Sequence, residues 1–181
     1  MPVFDTNVPV SGWTLIALAA GTAISAVLAR SLARRTGWPP RGVLITLLLL
    51  SATLALTLKP GNERHANGLH ACIPEDPPGL VDNLLFTGGG VAGNVLNFAL
   101  LLPLTAAAAL TCRRTGPAIA LALATPTLIE LTQSQIPGRY CSLSDWLTNA
   151  AGGLAGTLAG YLILRRSNVK HQTGARRTPR R

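Results

Sequence analysis

The sequence predicts an all-α integral membrane bundle of about five transmembrane helices, and three observations predict it. Only 13% of the 181 residues are charged while 48% are hydrophobic, against about 25% charged in an average soluble domain. The apolar mass is aliphatic, aromatic residues making up 4%. It also arrives in long blocks, each near the roughly 20 residues that carry a helix across the hydrocarbon core.

Five blocks meet or approach that length: Trp13 to Ala29, Gly42 to Leu58, Gly89 to Leu110, Pro117 to Gln135 and Trp146 to Leu164. The second is free of charge through LITLLLLSATLALTL. It has no polar stripe at a helical period, which a soluble bundle would need. The fourth and fifth are less apolar, since they carry Glu130, Asn149 and several glycines. The first block is expected to stay as an uncleaved span. A signal peptide starts with a positive region, whereas residues 1 to 12 hold Asp5 and no Lys or Arg. The run Gly88 to Gly90 reads as a flexible lead into the third span. It is not followed by the Lys-Ser/Thr of a phosphate loop.

The net charge of +9 is a topology signal before it is anything else. With five spans, thirteen of the sixteen Lys and Arg fall on one side, leaving Lys59, Arg64 and Arg139 on the other. Lys and Arg concentrate on the cytoplasmic side, so the N-terminus is expected outside and the C-terminus in the cytoplasm, in the cell membrane. Nucleic-acid binding is not expected, because the tail GARRTPRR has neither aromatic residues nor a folded platform. Residues 165–181 read as a basic disordered tail, 1–58 as two N-terminal helices, 59–88 as an extracytoplasmic loop, and 89–164 as a three-helix core.

The polar residues inside the core gather at one depth. Asn94 and Asn97 are three apart, Glu130 and Gln133 three apart, Asp145 and Asn149 four apart. Each pair therefore shares a helix face. On the expected topology all of them lie in the outer leaflet, with Arg139 in the loop between spans four and five as the nearest partner for Glu130 or Asp145. Ionisable residues in a membrane are costly and usually face the bundle interior or a wet cavity. The competing reading is that the amides and acids only bond helix to helix. Gly152, Gly156 and Gly160, at spacing four, form a ridge on which another helix can approach closely.

Taken together, N97FALLLP103, then IE130LTQ133, PGR139 and LSD145WLTN149AAGGLAG resemble the VanZ-like family of small bacterial membrane proteins, well over residues 80 to 164 and by general pattern before that. Leu101 stands where Phe is common in that family, and Thr105 where a Gly would follow the proline. The resemblance implies a cell-envelope protein whose matching motif residues are Glu130, Gln133, Arg139, Asp145 and Asn149, with Asn97. It also implies a link to glycopeptide susceptibility, since the founding member is associated with low-level teicoplanin resistance. It supplies no reaction.

Cys72 and Cys141 lie in the two outer loops. There an oxidising compartment lets disulfides persist, so a Cys72–Cys141 bridge is expected. Cys112 is expected to remain a free thiol. His65, His70, Cys72, Glu75 and Asp76 match no zinc spacing, and no metal or cofactor is expected.

Two functions compete. The first is a non-enzymatic envelope protein whose outer-leaflet polar site, Asn97, Glu130, Gln133, Arg139, Asp145 and Asn149, binds a lipid head group, a lipid-linked wall precursor or a glycopeptide. One guanidinium among two acids suits a ligand with several hydrogen-bonding groups. The second is a membrane hydrolase or transferase with Glu130 or Asp145 as acid or base. It is the weaker reading, because the motif holds no evident nucleophile. A transporter would need polar residues through the whole depth, and the inner halves, as in LALATPTLI and AGTLAGYLIL, are apolar.

Overall fold

The computed structural model describes residues 2–3, 6–7, 11–61, 68, 72 and 90–175, with side chains for 11–61, 68, 72 and 91–167. Two-residue strands, β1 (Pro2–Val3) and β2 (Thr6–Asn7), pair antiparallel ahead of the helices. Five helices follow: α1 (Gly12–Thr36), α2 (Pro40–Thr57), α3 (Gly90–Cys112), α4 (Thr115–Gln133) and α5 (Leu143–Ala175). Four of them, α1, α2, α3 and α5, are long and apolar enough to cross a membrane. The 19 residues of α4 give it a comparable length, at about 1.5 Å per residue, but Pro126 and Glu130 make it less apolar.

Helix ends follow local chemistry more than hydropathy. The Ser11 hydroxyl accepts the Thr14 N–H at the start of α1, a side-chain N-cap. The same helix runs beyond Ala29 to Thr36 because Arg is a good helix former and Arg34 and Arg35 favour the negative end of the dipole. It stops at Gly37, whose φ of 72° closes the last turn onto the Ala33 carbonyl, a left-handed end that glycine adopts without strain. Pro40 opens α2, where its missing N–H costs nothing. The expectation of a disordered segment from residue 165 is corrected in part: α5 stays helical to Ala175, and 176–181 lie outside the described residues. His65, His70, Glu75, Asp76 and the start of the Gly88 run lie outside them as well.

Helices consecutive in the chain run antiparallel. Ala29 and Ala33 near the end of α1 pack with Val43 near the start of α2. Gly42 of α2 faces Thr111 at the end of α3, Gly153 of α5 faces Ala122 of α4, and Gly152, Gly156 and Gly160 follow Phe98, Leu102 and Ala106 down a parallel α3. The bundle thus has two ends. One gathers Arg30, Arg34, Arg35, Arg41, Arg113 and Arg114. The other gathers the end of α2, the α4–α5 connector and the first turn of α5.

Small residues make up much of the interior, beside Leu101, Leu104 and Ile129, while many large aliphatic side chains point out. Ala109, Ala118, Ala122 and Thr105 have no exposure, while Val27 is 74% and Ile16 69% exposed. Lipid is as apolar as these side chains, so association relies on close packing of small residues. The α3–α5 seam shows this most sharply: a Cβ on Gly152 or Gly156 would meet the carbonyl oxygens of Phe98 or Leu102. At the same seam the Thr105 hydroxyl donates to the Gly153 carbonyl at 2.7 Å. Other buried hydroxyls turn back on their own helix, as Thr53 does to Leu49 and Thr157 to Gly153. That satisfies them where no water is available.

Candidate functional site

The polar cluster sits at the end opposite the arginines and is assembled from three helix termini. Glu130, on the last turn of α4 and 5% exposed, accepts the Ser142 N–H through Oε2 at 2.8 Å. Ser142 in turn begins α5: its hydroxyl accepts from the Asp145 N–H at 3.3 Å, and its carbonyl from the Trp146 N–H. Segment Ser142-Leu143-Ser144-Asp145 is therefore an N-cap followed by an acid three residues on, the signature of a capped helix start. That signature was available in the sequence and marks Ser142 and Ser144, which the motif reading passes over. Their hydroxyls lie 2.8 Å apart.

Gln133 and Arg139 face the other way, toward α2. Gln133 Nε2 donates to the Thr57 carbonyl at 2.8 Å and Arg139 Nη2 donates to the same oxygen at 2.9 Å. Thr57 is the last residue of α2, so a carbonyl that no turn of helix can satisfy receives two side-chain donors. One of them is a cation placed at the negative end of the helix dipole. Arg139, expected from sequence as a partner for the acids, thus makes a direct hydrogen bond to the main chain. Its charge still acts on both Glu130 and Asp145, and the two carboxylates act on each other.

The connector that carries Arg139 is fastened on several sides. Gly61 donates to the Pro137 carbonyl and Gly68 to the Ser134 carbonyl. Gly61 also lies so close to Gly138 that a Cβ there would overlap its backbone. Cys72 and Cys141 form a disulfide with a sequence separation of 69, as the sequence reading expects, while Cys112 is a free thiol at the other end. Thus Gly61, Gly68 and Cys72, beyond α2, are tied to the α4–α5 connector by two hydrogen bonds and a covalent link.

One turn below Asp145 lies Asn149, 2% exposed. Its Oδ1 is buried and has no hydrogen-bond partner among the described residues. An unpaired buried amide oxygen costs about 1–3 kcal/mol, so it stands out beside Glu130, Gln133 and Arg139, whose side chains are bonded to main-chain groups. Six residues at about 1.5 Å each put it some 9 Å below the start of α5. Gly152 meets Phe98, which brings half-buried Asn97 to within about a turn of the same level. Trp146 bridges to α4, its indole N–H donating to the Thr127 hydroxyl at 2.9 Å.

Helices of this length and apolarity, packed through glycine and alanine with many large aliphatic side chains on their outer faces, define a multi-pass helical membrane protein. The family follows from comparison. A model of the VanZ/LLP1 family matches residues 26–165, and the chain belongs to that family. No curated protein and no solved structure matches the chain.

Proposed function

We propose that this VanZ-family protein lies in the cell membrane with its N-terminus outside and binds an envelope amphiphile at the polar end. The ligand class is a lipid head group, a lipid-linked wall precursor or a glycopeptide. The observation that carries the reading is Asn149: a buried acceptor with no hydrogen-bond partner among the described residues, one turn beneath Asp145, whose charge interacts with those of Glu130 and Arg139. A donor group of a ligand entering from that end would satisfy it. Location of the Cys72–Cys141 disulfide at this end, away from the arginine cluster, supports its facing an oxidising compartment. Asn97, Glu130, Gln133, Arg139, Asp145 and Asn149 are the proposed binding set, Gln133 and Arg139 acting by holding the site against α2.

Chemistry by Glu130 or Asp145 is the less favoured reading, because Glu130 Oε2 is already engaged by a main-chain N–H. Turnover of a lipid-linked substrate that disappears in Asp145→Asn would reverse that preference. The test of binding is the lipid that copurifies with the wild type, Asn149→Ala and Glu130→Gln. Depletion of one species in the variants is expected, and identical lipid content in all three would overturn the proposal. A teicoplanin susceptibility assay of a deletion strain carrying wild type, Glu130→Ala or Asp145→Ala at matched protein levels tests the drug link. Equal susceptibility throughout would remove it.

A further inference from the structure

The opposite end of the bundle holds a second feature, independent of the polar cluster. A cleft of about 630 Å³ opens where α1 turns into α2, lined by Arg30, Ala33, Arg34, Gly37, Trp38 and Pro40. Arg30 and Arg34 are one turn apart, so their charges repel. The two described acids, Glu130 and Asp145, both sit at the far end. No side chain caps the start of α2, and its first turn carries no acid, so the positive end of that helix dipole points into the same corner.

The surface beside the cleft changes from basic to apolar along one helix face. Val27, Arg30 and Arg34 fall at i, i+3 and i+7, and Ile24 and Val27 are 57% and 74% exposed. Half-buried Trp38 packs on the Ala29, Ala33 and Val43 cluster at the cleft wall, at the depth where Trp marks a membrane boundary. A fork of guanidinium donors suits phosphate, and the apolar stripe beneath suits acyl chains. A free anion would use the first and leave the second bare.

We propose that the α1–α2 corner is a binding site for an anionic phospholipid, its phosphate held between Arg30 and Arg34 and its chains lying along Ile24 and Val27. The test is native mass spectrometry of the full-length protein released from micelles doped with equal phosphatidylglycerol and phosphatidylcholine. Wild type is expected to retain phosphatidylglycerol preferentially, and Arg30→Ala/Arg34→Ala to bind it about tenfold more weakly. Arg165→Ala/Arg166→Ala, which removes the same charge from α5, is expected to behave as wild type. Equal losses in the two double variants, or no preference in the wild type, would overturn the site. A chain retaining only Trp38, made by Trp13→Phe and Trp146→Phe, gives a second readout. Its emission should shift with short-chain phosphatidylglycerol and stay unchanged with phosphatidylcholine or inorganic phosphate. An equal response to inorganic phosphate would mean an anion site without lipid recognition and would overturn the proposal.

Discussion

The α1–α2 pair and the α3–α5 core use different means to stay together. Only 11% of the α1 span is buried, against 39% of the α5 span. Where α1 meets α2, Gly21 faces Ser51, and Ser25 and Ser51 share a hydrogen bond of 3.0 Å. Where α3 meets α5, backbone touches backbone along three glycines and Thr105 bonds directly to a main-chain carbonyl. The first contact is a single small-residue crossing, closed by the Ser51 hydroxyl donating to the Gly21 carbonyl at 3.2 Å, and the sparsely buried α1 can move outward as a whole. The second runs over three successive turns, so a shift at one glycine has to carry the facing main-chain carbonyls of α3 with it. Rigidity is concentrated in the half of the molecule that carries the polar cluster.

That contrast can be broken most severely at Gly156. Gly156→Leu would drive a side chain into the Leu102 carbonyl and the Thr105 hydroxyl, and is expected to cost about 3 kcal/mol or more, read as loss of monodisperse protein or a large fall in Tm in micelles. An unchanged Tm would mean the α3–α5 seam is not closely packed. Removing the disulfide with Cys72→Ser/Cys141→Ser is expected to cost about 2 kcal/mol, the low end of the usual range, because inserted helices already restrict the chain. Thermal unfolding with and without reductant checks it. The wild type should respond to reductant and the variant should not.

Gln133→Leu strips one donor from the Thr57 carbonyl and is expected to destabilise by about 1–2 kcal/mol, with Gln133→Glu at least as harmful because it places a carboxylate against a carbonyl. Equal stability of wild type and both variants would show that α2 does not depend on this bond. The smallest effect belongs to Gly21→Ala, under about 1 kcal/mol, since α1 can shift outward from Ser51. A loss as large as that of Gly156→Leu would erase the difference between the two halves.

Much of this arrangement is legible in sequence because hydropathy alone sets it. Blocks near 20 apolar residues give the helices, and the spacing of Gly152, Gly156 and Gly160 puts them on one face. Hydropathy is blind, however, to helical residues beyond the hydrocarbon, which is why α1 outruns Ala29 and α5 outruns Leu164. The partners of Gln133 and Arg139 were hidden for a different reason. Their acceptor is a main-chain oxygen at Thr57, 76 and 82 residues away in sequence, and a carbonyl leaves no residue-type signature. Ser142 was legible through its cap pattern. The unpaired oxygen of Asn149 follows only from tertiary packing.

Extension of α5 to Ala175 gives the molecule a stalk. Eleven further residues at the helical rise amount to about 16 Å, more than half a hydrocarbon thickness, so Ala175 is held that far along the axis from Leu164. A fluorophore fixed there would report distance from the bilayer along a stiff lever rather than average over a wandering chain.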